Sequence, residues 1–184
     1  MFEFCQAGPA DFPALLALNE ASVPHVNSID TAQLARFLAQ ATVFVRVVEA
    51  GQLAGFAICL GTGVAYASPN YQWFERNTTK FLYVDRIMVH PDFRRRGVAR
   101  RLYAELTARA LDLGLQRLCC EVNLMPANPA SLALHQQLGF AQVGAQHTTG
   151  GAKEVALLIK ELTKESSIES FMDVSMDLVP DNYS

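Results

Sequence analysis

With 184 residues, 51% of them hydrophobic and 18% charged, the chain has the size and composition of one globular domain with a real core, which excludes disordered and fibrous classes. Its net charge of −3 gives little electrostatic footprint for a polyanion, so no nucleic-acid partner is expected. No apolar run is long enough to span a bilayer, and Met1-Phe2-Glu3-Phe4 lacks the basic start of a cleavable signal; the expectation is a cytoplasmic protein without a membrane partner.

Taken in chain order, the pattern predicts a strand over 2–6, a helix near 9–22, and a helix near Thr31–Gln40 with Asp30 as N-cap. Strands over 42–49 and 53–60 follow, joined through Ala50-Gly51. In the loop between the first two helices, His25 reads as an ordinary loop residue. Residues 61–80 form a polar and aromatic insertion, long for a connection between adjacent strands and too aromatic for disorder. Its Tyr71, Trp73, Phe74 and Glu75 are candidates for a substrate wall, with Glu75 attracting an ammonium; the alternative is a lid packed on the core. Then come a strand Phe81–Val89, a long amphipathic helix over 98–113, a strand over 117–122, a short helix over 129–138, and strands near 141–147 and 153–160. Cys5, Cys59, Cys119 and Cys120 lie in apolar runs without metal-ligand spacing, so reduced thiols and no metal are expected.

The segment from Phe81 to Leu113 says most about chemistry. After the strand and His90-Pro91-Asp92 comes Arg94-Arg95-Arg96-Gly97-Val98-Ala99, then Arg100 and Arg101 at the start of the helix. Arginines beside a helix N-terminus oppose the helix dipole, so stability alone explains them poorly. A bound anion explains them well, because first-turn amides there have no partner within the helix. Gly97 and Ala99 leave room for a pyrophosphate at the backbone. The spacing is neither that of a dinucleotide-binding loop nor that of a P-loop.

This R-x-x-G-x-A run resembles the [Q/R]-x-x-G-x-[G/A] signature of the GNAT superfamily of N-acetyltransferases. A second run, Asn128-Pro129-Ala130-Ser131-Leu132-Ala133-Leu134-His135-Gln136-Gln137-Leu138-Gly139-Phe140, resembles the family's N-x-x-[AS]-x-x-[LF]-[YH]-x-x-x-G-F. The two stand in the family's order over 81–140, and the layout of elements extends a looser resemblance over 1–160. The fold implied is α/β: a mixed, mainly antiparallel central sheet with two splayed central strands, flanked by helices.

The resemblance implies acetyl-CoA as cosubstrate and a direct attack by a primary amine within a ternary complex; the alternative is an acyl-CoA-binding sensor domain without turnover. By resemblance, Arg94, Arg95, Arg96, Gly97, Val98, Ala99 and Arg100 hold the pyrophosphate. The backbone of Ile87, Met88 and Val89 holds the pantetheine arm, and a Met88 or Val89 amide polarises the thioester carbonyl. Asn128 contacts that arm or caps the helix before Pro129. His135 stands where many members have Tyr and is the candidate acid, with simple packing beside Leu134 and Leu138 as its alternative. Glu121 matches a position that some members use as a base. Asp85 competes with it: it interrupts an apolar strand, is placed on one face with Tyr83 and Ile87, and has Arg86 pointing to the other face.

Residues 161–184 form an acidic, amphipathic tail in which Glu161, Glu165, Glu169, Asp173, Asp177 and Asp181 recur every four residues. Ser166-Ser167-Ile168-Glu169 has the form of a capping box. The expectation is docking of the tail on the domain or on a second copy in a homodimer.

Overall fold

A computed structural model describes residues 1–23 and 26–163; His25 and the capping box and docking surface expected in the tail lie outside the described residues. The elements are β1 (Glu3–Gln6), α1 (Phe12–Glu20), α2 (Thr31–Gln40), β2 (Val43–Glu49), β3 (Gln52–Leu60), α3 (Pro69–Asn77), β4 (Phe81–Val89), α4 (Val98–Asp112), β5 (Arg117–Met125), α5 (Pro129–Gln137), β6 (Ala141–Thr148) and β7 (Lys153–Glu161). The seven strands form one sheet in the order β1-β2-β3-β4-β5-β7-β6. Only β4 and β5 run parallel; the other neighbours are antiparallel.

Local chemistry accounts for the helix starts. Asp30 accepts from the Gln33 amide at 2.7 Å while the Asp30 amide donates to Gln33 Oε1 at 2.9 Å, a reciprocal box that fixes α2. Ser68 caps α3 and Pro69 fills its first position, so the insertion at 61–80 is organised around a helix. The signal was Ser68-Pro69 followed by apolar Tyr71 and Phe74 at helical spacing.

The sheet separates two apolar layers. On one face α4 buries Leu102, Tyr103, Leu106 and Ala110 against Leu82, Val84, Leu118 and Cys120, with Phe140 and Leu132 joining from the α5 side. On the other, α1 and α2 cover Phe44, Phe56, Ile58 and Met88, and α3 covers Phe81, Tyr83, Cys119 and Leu157. Cys119 and Cys120 thus face opposite layers. All four cysteines are free, and Cys5 is half-buried rather than buried. Glu161, counted above with the tail, closes β7, and Leu162 is buried in the α4-side core. Among the described residues, no helix is long and apolar enough to cross a membrane.

Two irregularities at the sheet centre create the site. The β4–β5 ladder pairs only Phe81↔Arg117, Leu82↔Leu118 and Tyr83↔Cys119; beyond these residues the two strands part. In the β3–β4 ladder, Ile58 pairs Arg86 and Cys59 pairs Val84, leaving Asp85 as the extra residue of a β-bulge. The bulge shifts the alternation by one residue. Leu82, Val84 and Ile87 therefore share the α4 face, while Tyr83 and Met88 lie on the opposite one. The strict period-2 reading that put Asp85, Tyr83 and Ile87 together, with Arg86 opposed, is corrected accordingly.

Candidate functional site

The parted strands open a cleft of about 720 Å³ that runs from Arg94 at the loop before α4, along Val84–Val89 and 120–123, to Asn27, Ser68, Asn70, Thr148 and Lys153 on the far side. Because β5 has left β4 by Val84, the β4 edge from Val84 to Val89 turns its backbone groups toward the cleft, free of that ladder. Ile87, Met88 and Val89 all line it. Behind them β3 packs closely: a Cβ at Gly55 would lie 2.5 Å from the Met88 carbonyl oxygen.

At one end of the cleft, α4 starts without a side-chain cap, and Gly97 is left-handed at φ 74°, ψ 3°. Arg95 is left-handed as well, at φ 59°, a conformation that costs a side-chain-bearing residue about 1 kcal/mol. The loop accepts that cost and leaves the first turn of α4 without a side-chain partner for its amides, an arrangement suited to an anion. The arginines divide their work. Arg94 lines the cleft. Arg96, expected on the pyrophosphate, instead pairs Glu49 at 2.5 Å and lies over the Phe2 and Phe93 rings, so it braces the loop. Arg100 hydrogen-bonds Gln137 of α5 at 2.6 Å, and Arg101 lies over Phe2. Val98 buries its side chain and offers only backbone.

On the α4 side of the gap, Asn128 caps α5 through the Ser131 amide at 3.2 Å and also lines the cleft, which reconciles its two readings. His135 is buried, with Nδ1 2.7 Å from the Ser131 carbonyl and Nε2 2.6 Å from the Tyr103 hydroxyl. A carbonyl can only accept, so Nδ1 carries the proton and Nε2 accepts from Tyr103. Burial holds the imidazole pKa below its ordinary value, keeping it neutral. In this arrangement His135 has no N–H left for the cleft, contrary to what a direct acid requires.

On the opposite wall stands Glu121, half-buried and accepting from the Tyr83 hydroxyl at 2.8 Å. Burial, then the nearby Asp85 carboxylate, raises its pKa to about 7 against the lowering effect of the Tyr83 hydrogen bond. Asp85 is differently employed. Its carboxylate takes Arg86 Nε at 2.8 Å and the Tyr66 hydroxyl at 2.5 Å, and Arg86 continues to Asn19 of α1 at 2.6 Å. Asp85 is a paired structural anion joining the bulge to α1 and the insertion, not a free base.

The expected substrate wall is also relocated. Tyr71 and Phe74 are fully buried, and the Tyr71 hydroxyl donates to the Gly61 carbonyl at 2.7 Å. Glu75 accepts from the Gly63 amide at 2.9 Å and bonds Tyr71. Trp73 packs edge-on to Phe74 and against Gly144 of β6. Tyr71, Trp73 and Phe74 form the core-packed lid given above as the alternative, with Glu75 exposed at its edge, and from the same insertion Tyr66, Ser68, Pro69 and Asn70 reach the cleft instead. Among the described residues, no cluster of His, Cys, Asp or Glu is placed to hold a metal ion.

Comparison with solved structures shows the same fold at low identity. Ribosomal-protein-S18-alanine N-acetyltransferase from Escherichia coli superposes with a TM-score of 0.69 at 19% identity, covering 100% of this chain and 99% of that one. Ard1 from Thermoplasma volcanium gives 0.73 at 13% identity, covering 89% and 99%. Ribosomal-protein-alanine N-acetyltransferase from Brucella melitensis gives 0.68 at 22%, covering 87% and 99%. Among curated proteins, none matches the sequence. The model of the Acetyltransferase (GNAT) family matches residues 13–140, a span that holds the splayed strands, the arginine-rich turn before α4 and both sequence motifs. The chain belongs to the GNAT family of acetyltransferases.

Proposed function

We propose that the protein transfers the acetyl group of acetyl-CoA directly to a primary amine bound in the same cleft. The observation that carries this reading is the pairing of an open β4 edge with an uncapped α4 N-terminus at one end of the cleft and a near-neutral carboxylate, Glu121, at the other. The edge from Val84 to Val89 offers alternating N–H and C=O groups to the amides of a pantetheine arm, and the amides after Gly97, with Arg94, suit its pyrophosphate. Acetyl-CoA supplies the activated acyl group as a thioester.

The chain's own residues manage the protons. An amine reaches the site as an ammonium and is a nucleophile only once neutral. Glu121, with a pKa of about 7, is ionised often enough at neutral pH to take that proton, directly or through one water, and basic enough to hold it. Across the gap, the His135 N–H is given to Ser131 and the Tyr103 O–H to His135 Nε2, so neither side chain has a proton left for the departing sulfur, which leaves as a thiolate and takes its proton from solvent. Asp85, though paired with Arg86, keeps its charge and raises the Glu121 pKa, and its oxygens are engaged and do not compete as base.

Calorimetric titration with acetyl-CoA, combined with thiol release in the presence of amines, tests this reading. Gly97→Asp is expected to lose acetyl-CoA binding, and Glu121→Gln to bind it but release little thiol. Binding without release of thiol to any amine in the parent protein would favour an acyl-CoA sensor; absence of binding would overturn both.

A further inference from the structure

The acceptor end of the cleft carries two charges of opposite sign on one face of the sheet. Glu121 of β5 lies opposite Leu157 in the register with β7, and Lys153 stands four residues further along β7, so strand alternation puts Lys153, Val155 and Leu157 on the same face. Val155 and Leu157 pack with Cys119 and Tyr83, on the face from which Tyr83 reaches Glu121. Glu121 and Lys153 both line the cleft, as do the neutral polar residues Ser68, Asn70 and Thr148. Lys153 is mounted rather than left to sweep through solvent. Its Nζ donates to Asn27 Oδ1 at 3.1 Å, the Asn27 carbonyl accepts from Asn19 Nδ2 at 3.1 Å, and Asn19, fully buried in α1, accepts from Arg86 Nη1 at 2.6 Å. Arg86 is held in turn by Asp85 at the bulge. A chain of hydrogen bonds therefore runs from the bulge in β4 through α1 and the α1–α2 loop to the ammonium, which loses part of its side-chain freedom before any ligand arrives.

We propose that Lys153 selects the acceptor: it takes a carboxylate borne by the amine substrate while the amine itself faces Glu121, so the substrate class is a primary amine with an anionic group at its far end. In the role given to Glu121 the inference rests on the acetyl-transfer reading. An ammonium carries three N–H donors and can hold Asn27 and a carboxylate together. The register sets the length of the acceptor. Four residues of strand span about 13 Å, and about 3 Å of contact at each end leaves about 7 Å between amine and carboxylate, the reach of two extended residues. That fits a dipeptide or a six-carbon ω-amino acid and is too long for an α-amino acid, whose amine and carboxylate sit on one carbon. Charge argues the same way. A polyamine sets a second cation against Lys153, whereas an amphoteric acceptor places each of its charges opposite one of the other sign. The other charged side chains of the lining do not alter this, because Asp85 and Arg86 pair with each other and Arg94 stands at the end where α4 begins.

The test compares 6-aminohexanoate, its amide and 1,6-diaminohexane as acceptors for the parent protein, Lys153→Met, Lys153→Arg and Lys153→Glu, with calorimetric titration of the same compounds into each protein saturated with coenzyme A. The parent is expected to favour 6-aminohexanoate over its amide by about tenfold in kcat/KM and in Kd, the worth of a hydrogen bond to a charged group. Lys153→Met is expected to treat acid and amide alike, Lys153→Arg to keep the preference, and Lys153→Glu to favour the diamine over the acid. KM for acetyl-CoA stays unchanged in all three variants. A Lys153 that only ties the α1–α2 loop to β7 would, in Lys153→Met, weaken every acceptor by the same factor; that result overturns the proposal. So does a parent protein that uses or binds the three compounds alike, or that binds none of them. If the parent acetylates no amine of any class, the acetyl-transfer reading falls, while the Kd values for acid and amide still decide whether Lys153 recognises a carboxylate.

Discussion

Replacing Glu121 by Gln should slow the protein and stabilise it at the same time, and the pH dependence separates the two effects. In the folded chain burial and Asp85 raise the Glu121 pKa from 4.5 to about 7. Between these values the folded state keeps a proton that the unfolded chain has released, so stability falls as pH rises through that window. At about 1.4 kcal/mol per unit, the loss between pH 5 and pH 8 comes to about 2.5 kcal/mol. Gln removes this term. Denaturant unfolding at both pH values should therefore show Glu121→Gln gaining about 2.5 kcal/mol on the parent between pH 5 and pH 8. Acetyl transfer should lose the limb that rises toward pH 7 and drop by about 10²–10⁴-fold, the usual worth of a positioned base. A stability difference that stays constant with pH, or a rising limb that survives in Glu121→Gln, would refute the reasoning.

Three further outcomes follow from the packing around the cleft. Gly55→Ala puts a Cβ 2.5 Å from the Met88 carbonyl oxygen, so β4 must shift; we expect a loss of about 2 kcal/mol by chemical denaturation and a raised KM for acetyl-CoA with the amine KM unchanged. Tyr103→Phe leaves His135 Nε2 a buried acceptor without its donor, which should cost about 2 kcal/mol by chemical denaturation. Trp73→Ala removes a side chain that packs on Phe74 and Gly144 outside the cleft lining; thermal unfolding should report a loss of about 2 kcal/mol, with the amine KM moving less than twofold if the relocation of Trp73 to the lid is right.

Much of this architecture was legible because its signals are local. Gly97 within an arginine run, Asp30 three residues before Gln33 and Asn128 before Pro129 each state their roles within a few residues. What escaped is what depends on two-residue register or on chain segments far apart. The bulge at Asp85 cannot be read from hydrophobic alternation, yet it reverses which residues share a face and brings Arg86 onto Asp85. The partners of His135 and Glu121 come from α4 and β4, 32 and 38 positions away along the chain for Tyr103 and Tyr83. Tyr103 sits in the apolar stripe of α4, where an aromatic reads as core. Trp73 and Phe74 looked like a pocket wall because aromatic side chains serve both purposes, and only the docking of α3 on β6 and the sheet decides between them.

The central claim, that this cleft joins acetyl-CoA to an amine, is tested most directly by mass spectrometry of the products formed from acetyl-CoA and a panel of amino acids, polyamines, aminoglycosides and short peptides, with Gly97→Asp and Glu121→Gln in parallel. The account predicts the gain of one acetyl group on the nitrogen of one class of amine, absent with Gly97→Asp and strongly reduced with Glu121→Gln. Acetylated product formed equally by the parent and Glu121→Gln, or bound acetyl-CoA that yields none with any amine, would contradict it.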